Sequence, residues 1–291
     1  MPDEFFLDPR AVRRSFDRAA RTYDMAAVVQ REIRTRLLER LDIVRLAPAA
    51  VLDLGAGTGH ASRELKRRYS SAKVIALDIS LPMLRESARQ QSLLRRFAPV
   101  CADAHRLPLR SGSLDLVLSN LLLEWCHDPD TVFAEVARVL RPQGLFTFTT
   151  VGPDTLRELR ELWRGIDAAT HVHRFIDMHD FGDALLRAGF AEPVMDTERL
   201  TVTYPSLNAL LEELRGSGAR NVAQGRRHGL TGRARGAAVL ARSEALTRNG
   251  PMSVSVEVIH GHAWAPAERK SRRAGDEVRV PIEALRTRRK S

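Results

Sequence analysis

Residues 51–59 read Val-Leu-Asp-Leu-Gly-Ala-Gly-Thr-Gly, and few folds accommodate such a run. Val51, Leu52 and Leu54 form a short apolar stretch suited to a buried strand, with the single carboxylate of Asp53 near its end. Gly55, Gly57 and Gly59 follow at every second position. Glycine reaches positive φ and carries no Cβ, so a small molecule can lie against such a turn. A strand, a glycine turn and a helix in that order place a polar ligand at the carboxyl end of a parallel sheet.

The spacing narrows the ligand. A dinucleotide fingerprint has the form G-x-G-x-x-G, or a small residue in the last place. Counted from Gly55, the sixth position here is His60, and the turn reads G-x-G-x-G with an acid two residues before it. A carboxylate and bare backbone suit a ligand with an amino-acid cation better than a diphosphate. S-adenosylmethionine is such a ligand.

The segment resembles motif I of the class I S-adenosylmethionine-dependent methyltransferases, and more of the chain follows in that family's order over roughly residues 45–150. Residues 73–78, Lys-Val-Ile-Ala-Leu-Asp, form a second apolar run ending in an acid. In such sheets that acid binds a ribose diol, although Ser80 and Pro82 also make Asp78 look like the charge at the start of a helix. Ala102 and Asp103 fall where the family contacts adenine. Residues 113–120 read as a fourth strand, and Leu140-Arg-Pro-Gln-Gly144 precedes a fifth over 145–150. The family usually has glycine where Gln143 stands. The resemblance implies an α/β fold with a doubly wound, mostly parallel seven-stranded sheet, Rossmann-like, carrying N-terminal helices and a helical lid. It also implies that Asp53, Gly55, Gly57, Gly59, Asp78, Ala102 and Asp103 bind S-adenosylmethionine and its product S-adenosylhomocysteine.

At 291 residues with 44% hydrophobic side chains, the chain can bury one large core. Cys101 and Cys126 lack partners nearby in sequence, which argues against a disulfide framework or structural zinc. The start, Met1-Pro-Asp-Glu-Phe-Phe, has no long apolar run, and no stretch is long and apolar enough to span a membrane, so a cytoplasmic enzyme is expected. The net charge is +10. Much of the excess lies in residues 265–291, with nine Lys/Arg against four acids, read as a basic, flexible tail.

Periodicity predicts one or two helices over residues 8–45, and crossover helices over 61–68, 81–90 and 130–140. Beyond residue 150 it predicts a helix over 153–165, a polar loop over 171–180, a helix over 180–188 stopped by Gly189, and a strand over 198–204. A helix capped by Ser206 runs through Leu214, a glycine- and arginine-rich loop spans 216–232, a helix spans 233–247, and a last strand spans 254–262. The expected organisation is a single methyltransferase domain over 1–264, made of N-terminal helices 8–45, a cofactor-binding core 46–150 and a lid with sheet completion over 151–264.

This later half carries a narrower resemblance, to the BioC-type malonyl-acyl-carrier-protein O-methyltransferases of biotin synthesis. It rests on Phe16-Asp-Arg-Ala-Ala-Arg-Thr-Tyr-Asp24, Gln30-Arg-Glu32, Ser119-Asn-Leu-Leu-Leu-Glu-Trp125, Gly152-Pro-Asp-Thr-Leu-Arg-Glu-Leu159, His173-Arg-Phe-Ile-Asp177, Tyr204-Pro205 and residues 216–221. Mitochondrial complex I assembly relatives share several of these, which leaves an assembly factor that binds S-adenosylmethionine as an alternative. The resemblance implies methylation of the free carboxylate of a malonyl thioester. A carboxylate is already ionised at pH 7, so such a site needs alignment and dryness rather than a strong base.

Arg174 is then a candidate clamp for the substrate carboxylate, the rival reading being a solvated surface arginine. Tyr23 is a second candidate for positioning, against plain helix packing. Asn120, Glu124 and Trp125 follow the fourth strand, where ligands gather, with Asn120 facing the cofactor. Gln30 is placed on the cofactor carboxylate from the N-terminal helix. His171, His173 and His179 lack metal-site spacing, so no metal is expected. The partner implied is an acidic acyl-carrier protein, met by Arg215, Arg220, Arg226, Arg227, Arg233 and Arg235, with a monomer as the default. Methylation of another small molecule or of nucleic acid is the other alternative. The Ser119-Asn-Leu-Leu122 segment lacks the N-P-P-Y pattern of base methylation, so no stable nucleic-acid complex is expected.

Overall fold

A computed structural model describes residues 6–267 except 228, 230 and 249. Residues 268–291, most of the basic tail read from the sequence, lie outside the described residues.

The chain opens with α1 (Pro9–Ala19), α2 (Tyr23–Ala26) and α3 (Val28–Arg40). Asp8 caps α1, its carboxylate accepting the Arg10 N–H, and Pro9 occupies the first turn, where the missing donor costs nothing. Three helices thus stand where one or two were expected. The core alternates β1 (Ala50–Leu54), α4 (His60–Arg68), β2 (Lys73–Asp78), α5 (Leu81–Arg89), β3 (Ala98–Cys101), β4 (Leu114–Asn120), α6 (Pro129–Val139) and β5 (Leu140–Val151). Then follow α7 (Arg157–Trp163), α8 (Met178–Arg187), β6 (Ala191–Tyr204), α9 (Leu207–Gly216), α10 (Arg233–Thr247) and β7 (Met252–Trp264).

The seven strands form one sheet in the order β3-β2-β1-β4-β5-β7-β6. The pairs among β1 to β5 are parallel, and β7 runs antiparallel to both its neighbours. This is the doubly wound, mostly parallel sheet expected, and the strand order reverses beside β1, where such sheets open a crevice. Apolar layers cover both faces. Phe133, Phe146, Phe148 and Phe181 pack on one, and Leu37, Leu65, Val51 and Val74 on the other.

Several boundaries differ from expectation for a common reason: strand pairing reaches further than side-chain alternation. β6 pairs with β7 from Ala191 to Tyr204, so both strands extend beyond the stretches whose patterns mark them. β5 starts at Leu140 rather than 145 because Leu140 pairs with Leu114 across an irregular register. Gln143 donates its N–H to the Ala265 carbonyl and takes φ +60, which explains the usual glycine there. α7 starts four residues late because Glu257 holds the preceding turn, its main-chain O and Oε2 accepting the Gly152 and Asp154 N–H groups. The polar loop expected over 171–180 gives way to α8 at Met178, and His173 and Phe175 are buried within the loop.

Candidate active site

The glycine turn leaves β1 with all three glycines at positive φ: +80 at Gly55, +53 at Gly57 and +78 at Gly59. Gly55 and Ala56 both donate to the Leu77 carbonyl, pinning the turn to β2. The Gly57 N–H donates to Asp78 Oδ2 at 2.8 Å, and the Ser80 N–H to Asp78 Oδ1 at 2.8 Å. Asp78 therefore serves both readings, since it braces the turn and also lines the cavity in front of it. Burial raises its carboxyl above the ordinary range, against the pull of its backbone donors.

That cavity lies along the carboxyl ends of the parallel strands. Gly55, Gly57, Asp78, Ala102, Asp103 and Asn120 line it, as do Phe16 and Tyr23 from the N-terminal helices. A Cβ on Gly57 would find only the Tyr23 ring, at 4.0 Å, so the bare backbone faces open space. Asp103 stands at the far end, where its Oδ1 accepts the His105 main-chain N–H at 2.9 Å and meets His105 Nδ1 at 2.7 Å. Asn120 ties three elements together: its Oδ1 accepts Thr149 Oγ1, and its Nδ2 donates to the Gln30 carbonyl. A carboxylate at the second strand end, a bare glycine face and small residues beside a third strand fit a nucleoside carrying an amino acid.

Four expected placements need correction, the first being Gly59, which does not line the cavity because its open side is filled by the Ser87 and Phe97 side chains. Asp53 does not line the cavity. It lies beneath the turn, 1% exposed, and Ser62 Oγ of α4 donates to its Oδ2. Burial pushes its carboxyl up to about 6 despite that bond. Gln30 faces a second, larger cavity rather than the cofactor's, and its Oε1 is buried without a hydrogen-bond partner among the described residues. Arg174 is exposed and lines neither cavity. The residues on either side of it, His173 and Phe175, are the buried ones.

The second cavity, of about 350 Å³, is walled mainly by apolar side chains of α3, α7, α9 and β7. It meets the first at Phe16, Tyr23, Leu121 and Trp125, which line both. Trp125 stands edge-on to Phe16 at 5.2 Å and to His173 at 4.9 Å. Burial and the nearby Arg160 push the His173 imidazole down to about 4, so it is neutral at pH 7. Burial also pushes the Glu124 carboxyl, which lines the same cavity, up to about 7. Tyr23 is raised above the ordinary tyrosine value by burial, with Arg34 opposing and Asp78 and Glu124 adding. Arg215 and Arg220 are exposed yet border the cavity, which puts them at its rim. Of the other arginines expected to form a basic patch, Arg227 and Arg233 are exposed, whereas Arg226 is half-buried and donates to the Ala223 carbonyl. Leu121, at φ +54, and His127 carry no sequence signal for their places in the walls.

Latches hold the N-terminal helices over the first cavity. Thr58 Oγ1 and Gln90 Nε2 both donate to the Asp24 carboxylate, and His60 Nε2 lies 3.2 Å from it. Ser80 Oγ donates to Asp17, and Thr22 Oγ1 to the Gly216 carbonyl.

Comparison with known proteins agrees with this geometry. Residues 52–148 match the family model described as a methyltransferase domain. The fold resembles the YcgJ protein of Bacillus subtilis, with a TM-score of 0.58 at 16% identity over 79% of this chain and 97% of that one. It also resembles phosphoethanolamine N-methyltransferase 2 of Haemonchus contortus, solved with S-adenosyl-L-methionine, with a TM-score of 0.53 at 15% identity over 86% and 57%. Site and fold thus define a methyltransferase of the doubly wound type.

Relatives sharpen this. The malonyl-[acyl-carrier protein] O-methyltransferase of Methylovorus sp. is 51% identical over 92% of each chain. That of Laribacter hongkongensis is 51% identical over 95% of this chain and 96% of its own. The chain belongs to the malonyl-[acyl-carrier protein] O-methyltransferase family.

Proposed function

We propose that the protein transfers the methyl group of S-adenosylmethionine to the free carboxylate of a malonyl thioester on acyl-carrier protein, an early step of biotin synthesis, acting as a cytoplasmic monomer. One unit over residues 1–264 carries the reaction, and the basic tail follows it. The observation that carries this reading is the junction of two cavities at Phe16, Tyr23, Leu121 and Trp125. One cavity has the polar fittings of a nucleoside site. The other is larger, mainly apolar and rimmed by arginines, which suits a thioester arm on an acidic carrier.

The bound cofactor supplies an electrophilic methyl on a sulfonium. Gly55 and Gly57 give its amino-acid end a bare surface, Asp78 accepts the ribose hydroxyls, and Ala102 and Asp103 border the base. Asn120 closes the near side, and Asp53 supports the turn from below. The acceptor carboxylate arrives ionised, so no side chain has to remove a proton. Phe16, Leu121 and Trp125 exclude water around it, and Tyr23 orients it. Held in line and dry, the two reactants gain the effective-concentration advantage that dominates such displacements. Arg215 and Arg220 guide the carrier to the rim.

The test is incubation of pure protein with methyl-labelled cofactor and malonyl-carrier protein, beside malonyl-coenzyme A and RNA. A labelled methyl ester on the carrier thioester is expected. Cofactor binding without any such ester would reject the reading.

A further inference from the structure

We propose that Glu124, in its protonated form, donates a hydrogen bond to the substrate carboxylate beside the Tyr23 hydroxyl, so that neutral donors hold the nucleophile. The inference rests on the carboxyl-methylation reading above and deepens it.

Glu124 sits on the short turn Leu123–Trp125, directly after the strand end that faces the cofactor cavity. It lines the substrate cavity together with Phe16, Tyr23, Leu121 and Trp125, the residues that belong to both cavities. Thr150 Oγ1 donates to its Oε2 at 3.1 Å, fixing the carboxyl group. Tyr23 lies close enough to feel its charge. The other titratable groups lining the cavity are paired, neutral or at its rim, while Gln30 Oε1 and His173 Nδ1 are buried there without a hydrogen-bond partner among the described residues. His171 Nε2 pairs with Asp167 at 2.7 Å, and His173 is neutral. Tyr204 and Glu213 are hydrogen-bonded to each other, and Arg215 and Arg220 stand at the rim. Cys126, on the same turn, has its thiol pushed up by burial and by Glu124. Arg34 of α3 interacts electrostatically with Tyr23 and Asp53 and borders a different groove.

An ionised Glu124 would repel the carboxylate the site has to admit. Burial already holds its proton near neutral pH. A carboxyl beside a thioester carbonyl is the stronger acid, so a proton shared by the pair resides on Glu124 and the substrate oxygen keeps its lone pair. That oxygen bonds to the methyl carbon, the carbon–sulfur bond breaks with its electron pair going to sulfur, and no proton is lost or gained. A neutral donor also leaves the oxygen more nucleophilic than an arginine clamp would.

The experiment is the pH profile of kcat/KM from pH 6 to 9 for methyl transfer to malonyl-carrier protein, because that ratio reports the free enzyme's ionisations. Wild type is expected to lose activity above about pH 7, steepening toward about tenfold per unit. Glu124→Gln keeps an N–H donor. It is expected to lower kcat/KM about threefold at pH 6.5 and to abolish the alkaline fall, while Glu124→Ala loses about tenfold or more at every pH. An alkaline limb retained in Glu124→Gln, or wild-type kcat/KM in Glu124→Ala, overturns the proposal. So does a folded, cofactor-binding Glu124→Gln without any transfer. Failure of the wild type to form ester at any pH rejects the underlying reading, and it is distinguished because it precedes any variant.

Discussion

The two glycines either side of Thr58 face opposite demands. A methyl group at Gly59 meets the Ser87 and Phe97 side chains, whereas at Gly57 it projects toward the cofactor cavity. Gly59→Ala is therefore expected to cost stability, about 2–3 kcal/mol by urea denaturation. Gly57→Ala should cost about 1 kcal/mol for its positive φ yet weaken binding of S-adenosylhomocysteine by about tenfold or more in calorimetry. Equal effects of the two on binding would contradict this assignment. Gln143 offers the reverse change. It is exposed at φ +60 with its N–H engaged, so Gln143→Gly should raise Tm by about 2 °C. The motif residues were legible because glycine spacing is local chemistry. The direction of Asp53 was not, since a strand-end side chain can turn to the ligand or to the helix beneath, and Ser62 of α4 settles it.

Among the elements, the segment between α7 and α8 departs most from its sequence pattern. Its polar composition reads as solvated, yet Trp125 and Phe175 enclose His173, 5% exposed. The linkage has a definite sign. The folded value, about 4, lies below the unfolded one of about 6.5, so the unfolded chain takes the proton first. Stability from this group is full above about pH 6.5 and declines as pH falls toward 4, by at most about 3 kcal/mol. His173→Gln should flatten that part of the unfolding free energy measured between pH 7 and 4.5. An unchanged slope would mean the imidazole finds a partner on protonation. The α2 latch behaves differently. Burial raises the Asp24 carboxyl, but its bonds from Thr58, Gln90 and His60 outweigh this and hold it below the ordinary range. The latch therefore loosens only in strong acid. Breaking it by Asp24→Ala should speed proteolysis within α1 and α2, and S-adenosylhomocysteine should protect against that cleavage.

Across the molecule, a net charge of +10 favours acidic partners, and the arginines at the cavity rim give that charge a place to act. Steering of this kind is screened by salt. With malonyl-carrier protein, kcat/KM should fall several-fold between about 50 and 300 mM salt, and Arg215→Glu with Arg220→Glu should remove most of that dependence while leaving the reaction with a small malonyl thioester nearly unchanged. A salt-independent carrier reaction would move the docking surface elsewhere. Among the described residues no helix is long and apolar enough to cross a membrane.

The order of strands and crossovers and the glycine turn follow from local rules, because φ preferences and hydrophobic period act within a few residues. The substrate cavity does not. Its lining runs from Phe16 to Val256, and which face each side chain turns inward depends on packing between segments more than two hundred residues apart. That is why Arg174 could be singled out yet stand outside, and why Gln30 could be assigned to one cavity yet line the other. A side chain's chemistry is fixed by its type, but the cavity it serves is fixed by what packs against its backbone.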